Sequence, residues 1–307
     1  MRSFKCYLIL LLSLFASISI PPVSLAQLAL NTKLENATKR SDLKGWDHLH
    51  SLLVENGVDS ELATKLISDP RMPHNEIVYF KLAPKERHSM YRKHDSAKNR
   101  RNALRFYKEH RQSFQEASRQ FGVNSEVILA ILQVETNCGG YTGKEKVFYR
   151  LARLSAVANP ESIIANLRKI KKQEAPKAHY RDVLARAKWL EGEFLPHLIK
   201  TIELARMLGK SPHEIKGSGA GALGLFQFLP GNVLKYGIDG NHDGRIDPYD
   251  PSDAIPSVAN YLAQNGWNKN KPLISQSSRK VIWHYNRSDS YITTVLSMAG
   301  KLKPQLG

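Results

Sequence analysis

The run VILAILQVETNCGG, from Val127 to Gly140, constrains the fold more than any other stretch of the chain. Its apolar residues recur at helical spacing and predict a helix that starts near Asn124 and ends at Gly139 and Gly140. Glu135 lies on or beside the apolar face in the last turn, where burial and the helix carbonyl dipoles both favour its protonated form. Glu135 is therefore a candidate proton donor for cleaving a glycosidic bond; the alternative is a solvated residue at a helix end.

The first 26 residues have the features of a secretory signal peptide. Arg2 and Lys5 precede a mostly apolar run from Tyr7 to Ile20, and small residues stand at positions −3 and −1 of a cleavage point after Ala26. The apolar run is shorter than the about 20 residues that cross a bilayer, so a permanent membrane span is the less favoured alternative. We expect a soluble periplasmic protein whose mature chain begins at Gln27.

The chain carries a formal net charge of +17. Removing the signal peptide takes away two positive charges and no negative charge, which leaves +15. In an exported protein this charge favours an acidic cell-wall polymer or an anionic lipid surface as the partner, rather than nucleic acid. Cys138 is the only cysteine after residue 26, so the mature chain has no internal disulfide, and we expect a small packing residue there rather than a nucleophile.

Helical periodicity dominates the rest of the chain and strand signals are nearly absent, which predicts a mainly α-helical fold. Two apolar stripes on either side of Gly57 predict a helical hairpin, and the proline-punctuated stretch from Asp69 to Glu86 predicts an extended connection. A second helical section is expected from about Arg87 to Gln120. We place an N-terminal helical region at 27–119 and a second region at 120–307.

The stretch from Ser162 to Lys188 is rich in Lys and Arg, with apolar residues interleaved. This pattern predicts an amphipathic basic helix followed by a second helix. Its charged face is either an ordinary solvated surface or a binding surface for a membrane. Pro196 is then expected in the first turn of a helix that ends at Gly209.

The glycine-rich run GSGAGALGLFQFLP, from Gly217 to Pro230, is not a phosphate-binding loop, because no strand pattern precedes it and no Gly-Lys-Ser/Thr follows. Its glycines either pack against neighbouring elements or let a ligand approach the backbone closely. Gln227 lies between Phe226 and Phe228. An amide beside aromatic rings suits a sugar, which needs a stacking surface and directional hydrogen bonds.

The segment DGNHDGRIDPYD, from Asp239 to Asp250, fits the twelve-residue calcium loop of an EF-hand. Gly244 stands at position 6, where the loop turns sharply, and Ile246 stands at position 8. A shorter Asp replaces the usual Glu at position 12, so we expect modest affinity; the alternative is a polar turn that binds no metal. The predicted ligands are Asp239, Asn241, Asp243 and Asp250, with the backbone carbonyl of Arg245.

The order of these motifs resembles the lytic murein transglycosylase B family of bacterial cell-wall enzymes. The motifs are Glu-Thr before a Gly pair, Gly-Ala-Leu-Gly leading into Gln-Phe-Leu-Pro, the calcium loop, Asp-Pro-x-Asp-Ala-Ile-x-Ser-Val-Ala-Asn-Tyr and Tyr-Asn-x-Ser. The resemblance is weak from about Trp46 and strong from Gly122 onward. It implies a lysozyme-like, mainly helical core with an added N-terminal helical region. It also implies cleavage of the MurNAc–GlcNAc β-1,4 bond of peptidoglycan without water, which leaves 1,6-anhydro-MurNAc ends.

The resemblance further implies roles for single residues. Glu135 would be the only acid and base, and calcium would be structural. Glu161 and Ser162 depart from the family pattern, because two basic residues that reach the peptide stem are expected there. The Lys-rich stretch from Lys169 to Lys188 is a candidate replacement. The implied substrate contacts are Ser218, Gln227, Tyr261, Tyr285 and Asn286.

Three other functions stay open from the sequence. A lysozyme-type hydrolase would use the same Glu135 but release reducing MurNAc ends. An inactive wall-binding scaffold would keep the groove and the charge and would tolerate loss of Glu135. A nucleic-acid-binding protein is suggested only by the charge and conflicts with an export signal. Other cell-wall enzymes are compatible partners, although no residue pattern points to one.

Overall fold

Helices make up most of the regular structure in the computed structural model, which describes residues 43–84, 91, 94, 96–173 and 175–306. The predicted mainly α fold is confirmed, and the predicted signal peptide lies outside the described residues. Two strands of two residues, β1 (Glu145–Lys146) and β2 (Lys216–Gly217), pair antiparallel. Short 3-10 turns occupy Pro212–Glu214 and Lys303–Gln305. The helices are α1 (Asp47–Glu55), α2 (Ser60–Ser68), α3 (Ala97–Glu109), α4 (Arg111–Phe121), α5 (Ser125–Thr136), α6 (Val147–Ser155), α7 (Pro160–Gln173), α8 (Tyr180–Met207), α9 (Pro230–Tyr236), α10 (Pro251–Gln264), α11 (Gln276–Tyr285) and α12 (Asp289–Leu302).

The first two helices form the predicted hairpin. Gly57 takes the left-handed conformation between them, with φ of +86°, which strains any residue with a side chain. Asp59 then caps α2 by accepting a hydrogen bond from the backbone N–H of Leu62 at 2.9 Å. The connection from residue 69 to residue 84 contains neither helix nor strand, as predicted for the part of it that is described.

Helix α5 lies inside the larger hydrophobic core, which we call the main core. Ten of its twelve residues are buried, and it packs against α3, α4, α10 and α12. A helix that is apolar on nearly all sides must be surrounded by other elements rather than rest one face on them. The residues expected to form a single stripe, Ile128, Ile131 and Leu132, are therefore only part of its buried surface.

The two ends of α5 differ from the prediction. Asn124 stands at the N-cap position but makes no side-chain cap, because its Oδ1 accepts a hydrogen bond from Trp267 Nε1 at 3.0 Å. At the other end, Asn137 and Cys138 already take the left-handed conformation, with φ of +57° and +55°. The helix therefore stops at Thr136, before the glycine pair, since asparagine tolerates this conformation better than most residues.

A second, smaller hydrophobic core lies between α7, the first half of α8 and the extended segment 78–82. Val78, Phe80 and Leu82 pack against it from alternate positions of that segment. We call α7, residues 180–190 of α8 and the segment 78–82 the basic lobe, because the exposed positions of its helices are rich in Lys and Arg. The predicted pair of basic helices is present. The buried residues of its core are Val157, Ala158, Ile163, Ile170, Ala178, Val183, Ala187 and Leu190.

The prediction for Pro196 is wrong. Pro196 lies inside α8, which runs unbroken from Tyr180 to Met207, and does not start a new helix. A proline within a helix removes one backbone N–H and crowds the residue four positions earlier. Here that residue is Gly192, which has no side chain and no neighbour within 4 Å of its would-be Cβ. The backbone can therefore adjust around the proline ring without losing packing.

The main core draws side chains from both sides of the predicted boundary at residues 119 and 120. Trp46 and Phe114 belong to it together with Ile128, and Leu43–Gly307 form one compact unit. The division into two regions stays a prediction. None of the helices in the described ranges is long and apolar enough to cross a bilayer.

Candidate active site

Glu135 lies in the last turn of α5, with its side chain partly buried. Its Oε1 accepts a hydrogen bond from the hydroxyl of Tyr291 at 2.6 Å. Burial raises the pKa of Glu135 to about 7, although the hydrogen bond from Tyr291 acts to lower it. The carboxyl is therefore close to half protonated near neutral pH, which is the condition that a group needs to give and take a proton in turn.

Tyr291 holds the Glu135 carboxyl from α12 and is itself buried. Its ring stacks on that of Tyr285, with centroids 6.3 Å apart and an interplanar angle of 11°. The ring of Tyr91 meets it edge-on at 5.7 Å. Burial, and then the nearby Glu135 carboxyl, raise the pKa of Tyr285 and of Tyr291 well above the ordinary value. Both phenols therefore stay protonated donors. No motif in the sequence singles out Tyr291, because its partner lies far away in the chain.

The aromatic contacts continue away from Glu135. Tyr285 contacts Tyr261 at 5.0 Å and Phe228 at 5.5 Å between ring centroids. The hydroxyl of Tyr285 donates to the carbonyl of Phe226 at 2.6 Å, and that of Tyr261 donates to the carbonyl of His284 at 2.7 Å. Two predicted substrate contacts thus lie side by side, with Tyr285 next to the Tyr291 ring that holds Glu135, and both hydroxyls donate to carbonyls of the protein. Asn286 follows directly as the C-cap residue of α11.

The glycine-rich loop packs tightly against neighbouring backbone. A Cβ at Gly217 would lie 2.1 Å from the carbonyl oxygen of Ala222, and one at Gly224 would lie 2.0 Å from that of Pro248. The packing interpretation of these two glycines is therefore correct. Ser218 closes the same loop, because its hydroxyl accepts a hydrogen bond from Ala222 N at 3.1 Å. The loop is fastened to the end of α5 by the Thr136 hydroxyl, which donates to the carbonyl of Leu225 at 2.9 Å.

Gln227 has an unusual backbone conformation, with φ of +51°. Its side-chain amide donates to the carbonyls of Gly224 and Thr142, at 2.8 and 3.2 Å. The amide therefore joins the glycine-rich loop to the segment that follows α5. A residue with a side chain is strained in this left-handed backbone conformation, and strained residues concentrate at functional sites.

No second carboxylate of the described residues contacts Glu135. Asp253, the distant candidate, is buried in α10, where it accepts hydrogen bonds from Gly240 N and Asp247 N at 2.9 and 2.7 Å. Cys138 is also an unsuitable nucleophile, because burial raises the pKa of its thiol far above the ordinary value. The site thus offers a single proton-transfer carboxyl, rather than the pair that most glycosidases use.

The loop from Asp239 to Asp250 is held together by its own side chains. The Asp239 carboxylate accepts hydrogen bonds from the backbone of Asp243 and Gly244, at 3.1 and 2.8 Å. Asn241 Nδ2 donates to Asp250 Oδ2 at 3.1 Å, so positions 3 and 12 converge. Among the residues described, no group of three or more His, Cys, Asp or Glu side chains is positioned to hold a metal ion. The calcium site therefore stays a prediction.

The family described as Transglycosylase SLT domain matches residues 42–279. The membrane-bound lytic murein transglycosylase B of Escherichia coli strain K12 is 32% identical over 171 residues, which are 56% of this chain. The matched stretch spans 39% of the length of that relative.

Two solved structures share the fold. The Escherichia coli lytic transglycosylase Slt35, in complex with calcium, aligns with a TM-score of 0.63 at 22% identity, covering 85% of this chain and 93% of that one. SltB3 of Pseudomonas aeruginosa, in complex with NAG-NAM-pentapeptide, aligns with a TM-score of 0.61 at 17% identity, covering 84% and 78%. At these identities the likeness establishes the fold, and the predicted lysozyme-like architecture is confirmed.

Proposed function

Because the chain belongs to the transglycosylase SLT domain family, we propose that it is a lytic transglycosylase of peptidoglycan. The bond to be cleaved is the MurNAc–GlcNAc β-1,4 bond, and the product carries a 1,6-anhydro-MurNAc end. The observation that carries this proposal is the single carboxyl of Glu135, partly buried and poised near pKa 7. One such group serves a reaction in which the same residue acts first as acid and then as base.

Glu135 first protonates the leaving glycosidic oxygen. Its two carboxyl oxygens are not equivalent, because Oε1 already accepts the hydrogen bond from Tyr291. The proton to be transferred therefore resides on Oε2, and Tyr291 fixes the direction in which that oxygen points. As the proton leaves, the Tyr291 hydroxyl stabilises the carboxylate that forms, since a hydrogen bond to a charged acceptor is stronger than one to a neutral acceptor.

Glu135 then acts as the base. The carboxylate takes the proton from the C6 hydroxyl of the same MurNAc, and the C6 oxygen bonds to C1 as the bond from C1 to the glycosidic oxygen breaks. The nucleophile is already part of the sugar, so little entropy is lost in bringing it to C1. No water enters the product. The donated proton stays on the leaving sugar, and Glu135 ends protonated by the proton of the C6 hydroxyl.

The substrate would lie along the aromatic side chains that lead away from Glu135. We propose Ser218, Gln227, Tyr261, Tyr285 and Asn286 as its contacts. Gln227 supports this role because its amide hydrogens bond to protein carbonyls, while its Oε1 remains able to accept a hydrogen bond from a sugar hydroxyl or acetamido group. The partly exposed ring of Tyr285 offers apolar surface for a sugar face, and the buried ring of Tyr261 packs against it.

A lysozyme-type hydrolase would use the same Glu135 and differ only in the nucleophile. Glycosidases that use water in this way hold a second carboxylate close to the sugar. Asp253 is buried in the first turn of α10 and accepts hydrogen bonds from backbone N–H groups, which gives that reaction no support. The structure does not favour an inactive scaffold either. Burial raises the pKa of Glu135, which lowers the stability of the fold at neutral pH and above, and a scaffold has no use for such a group.

The substitution Glu135→Gln tests the proposal. It keeps the size of the side chain but removes both proton donation and proton abstraction, so turnover of purified sacculi should fall by at least about 10²-fold. Glu126→Gln is the matched control, because Glu126 is a buried glutamate in the first turn of the same helix. Full activity in Glu135→Gln would remove Glu135 from the mechanism.

We also propose that the loop from Asp239 to Asp250 binds calcium as a structural ion. The donor set fits a hard cation, with three carboxylates, the Asn241 amide oxygen and the Arg245 carbonyl. The turn at Gly244, with φ of +86°, and the packing of Ile246 against the main core support this assignment. Calcium would offset two of the three negative charges and relieve their mutual repulsion. Asp250 also caps α10, so a bound ion would stabilise that helix within the main core.

The location and the regional organisation remain proposals too. We propose export to the periplasm with cleavage after Ala26, peptidoglycan as the partner, and other cell-wall enzymes as further partners, which co-purification would test. Sequencing of the mature N-terminus should begin at Gln27; an N-terminus that retains Arg2 would contradict cleavage. The N-terminal helical region at 27–119 would support the catalytic core at 120–307.

A further inference from the structure

The turn that follows Glu135 takes a backbone conformation that needs support. Asn137 and Cys138, the first two residues after α5, both have positive φ, +57° and +55°. A side chain crowds the backbone in this left-handed region, and residues other than glycine visit it singly rather than in succession. Glu135 lies only two residues before Asn137, so the direction of its carboxyl depends on how firmly this turn is held.

The glycine-rich loop holds the turn through Thr136. The Thr136 hydroxyl donates to the carbonyl of Leu225 at 2.9 Å and accepts a hydrogen bond from Gly139 N at 2.9 Å. A Cβ at Gly139 would lie 3.2 Å from Leu225 Cγ, so the turn and the loop are in close contact. These contacts join the turn to the loop that carries Ser218 and Gln227.

Helix α3 reaches the same turn through Asn102. Asn102 Nδ2 lies 3.1 Å from both the carbonyl oxygen and Oδ1 of Asn137, and 3.4 Å from Gln133 Oε1. The two hydrogens of the amide serve the two nearer acceptors, and the third acceptor shares them at a longer distance. One amide of α3 therefore joins the residue two positions before Glu135 to the residue two positions after it.

Arg105 determines which way round the Asn102 amide lies. Arg105 Nη2 donates to Asn102 Oδ1 at 2.6 Å, and a guanidinium has donors only. The oxygen of the amide must therefore face Arg105, and its nitrogen must face α5. The Arg105 side chain is exposed, so it orients the amide without the cost of burying a charge.

Gln133 completes these contacts from within α5. Its side chain is fully buried. Its Nε2 donates to Asn137 Oδ1, and its Oε1 accepts a hydrogen bond from Cys138 Sγ at 3.1 Å. A buried amide is costly unless it is hydrogen-bonded, so this arrangement is strongly favoured over others. We call the connected polar residues the amide network: Asn102, Arg105, Gln133, Asn137 and Cys138.

We infer that Asn102 is a positioning residue for Glu135, an inference that rests on the proposed function. Through the amide network Asn102 holds the turn after Glu135 against α3, while the Tyr291 hydroxyl of α12 holds the carboxyl itself. Asn102 acts through the backbone and not on the sugar, because its amide is bonded to protein acceptors. Helix α3 lies within the N-terminal region proposed at 27–119, which therefore contributes to the proton transfer as well as to support.

Asn102→Ala removes the amide and tests the inference. On soluble peptidoglycan strands kcat should fall by about 10-fold or more, because a displacement of about 1 Å at a reacting group can cost about 10²-fold. KM should change little, because no proposed substrate contact is altered. Asn99→Ala is the matched control, since Asn99 is a half-buried amide of α3 that donates to the carbonyl of His94 at 3.1 Å. The control should keep the wild-type kcat, and a wild-type kcat in Asn102→Ala would overturn the inference.

The titration of Glu135 separates positioning from stabilisation of the fold. With the turn held less firmly, water should reach the carboxyl and its pKa should fall from about 7 toward the ordinary value. NMR of protein labelled with ¹³C at the glutamate carboxyls follows this titration, and Glu135→Gln identifies the signal by its loss. Tyr285 and Tyr291 interact with the carboxyl but stay protonated in this range, because their pKa values are raised well above the ordinary value.

The expected result is a lower pKa of Glu135 in Asn102→Ala and an unchanged one in Asn99→Ala. A lower melting temperature in Asn102→Ala, with the Glu135 titration unchanged, would show that Asn102 only stabilises the fold. That result would overturn the inference.

Asn137→Gly is a second variant, in which the turn itself is kept. Glycine adopts the left-handed conformation without strain, so the backbone survives while the Oδ1 acceptor is lost. The loss of kcat should be smaller than in Asn102→Ala, because the carbonyl of residue 137 still accepts from Asn102. In Asn102→Ala/Asn137→Gly the loss should be smaller than the product of the two single losses, since both act through one network. Single losses that multiply would contradict the inference.

The NMR titration does not depend on the reaction, so the proposed function and the inference can fail separately. If the wild type releases no glycan fragments while Asn102→Ala lowers the pKa of Glu135, the proposed function fails and the inference stands. If the wild type releases fragments, and Asn102→Ala matches it in kcat and in the Glu135 titration, the inference fails and the proposed function stands.

Discussion

The main core and the basic lobe are built from helices with opposite patterns of burial. In α5 ten of twelve residues are buried, whereas in α7 four of fourteen are. The polar group near the end of α5 is Glu135, whose pKa burial raises to about 7. Most of the exposed charged groups along α7 are lysines and arginines. Burial in the main core shifts the pKa of one side chain, Glu135. The basic lobe instead exposes several positively charged side chains to solvent.

This difference predicts different sensitivities for the two regions. A group whose pKa is set by burial responds to pH and to packing, and little to salt. Exposed cations contribute through long-range attraction, which salt screens within about 10 Å at 0.1 M. We therefore expect catalysis to follow pH and wall binding to follow ionic strength. Changes in pH, in calcium and in core side chains should therefore affect the main core and the basic lobe differently.

The largest expected difference concerns pH and stability. The folded protein raises the pKa of Glu135 from 4.5 to about 7, so the folded state binds this proton more tightly than the unfolded state does. The free energy of unfolding should therefore fall as pH rises from about 4.5 to about 7, by on the order of 3 kcal/mol. Glu135→Gln, which is neutral throughout, should match the wild type near pH 4 and exceed it at pH 8.

Urea unfolding of both proteins at pH 4 and pH 8 measures this difference. Glu161→Gln is the control from the basic lobe, because Glu161 is exposed in the first turn of α7. A wild type and a Glu135→Gln variant with the same pH dependence would show that burial does not act on Glu135 as described.

The second measurement concerns calcium, which should act on the main core and not on the lobe. At a hundredfold excess over the dissociation constant, calcium should raise the free energy of unfolding by about 2.7 kcal/mol. Protection from hydrogen exchange should increase in α10, whose cap is Asp250, and stay unchanged in α7. Asp243→Ala should abolish both effects and Glu161→Ala neither. An unchanged melting curve after chelation and calcium addition would contradict the assignment.

The third measurement removes the same two methyl groups from each core. Val127 of α5 and Val183 of α8 are both fully buried. Val127→Ala should lower the global free energy of unfolding by about 2 kcal/mol, between the usual effects of Ile→Val and Leu→Ala. Val183→Ala should have a smaller global effect and speed hydrogen exchange mainly in the lobe. Equal global losses, with faster exchange in α5 in both variants, would mean that the two cores unfold as one.

The sequence predicted the helical class, the hairpin and the basic helices because these depend on local periodicity. It also placed Glu135 in the last turn of a helix, on or beside its apolar face, and the structure has it in that last turn. The prediction that a helix starts at Pro196 is wrong, because the local pattern does not show whether a helix can accommodate a proline. Here that depends on Gly192 and on tertiary packing. Local sequence preferences favour a helix break at a proline, but tertiary packing keeps α8 continuous through Pro196.

The contacts that complete the candidate site could not be predicted from local sequence patterns, because they join residues that are far apart in the chain. Tyr291 bonds to Glu135 across 156 residues, and nothing in its own surroundings in the sequence distinguishes it from a core tyrosine. The same holds for Asn166, whose two hydrogen bonds to the segment 78–80 span more than 80 residues. An alignment that paired positions 135 and 291, or 166 and 79, is the kind of signal that would have revealed them.

The central claim is that Glu135 transfers both protons and that no water enters the product. Digestion of sacculi in water enriched in ¹⁸O, followed by mass spectrometry of the released muropeptides, tests this most directly. The account predicts 1,6-anhydro-MurNAc ends that are lighter by one water than reducing ends and contain no ¹⁸O. Reducing MurNAc ends that carry ¹⁸O as the main product would contradict it and make the protein a hydrolase.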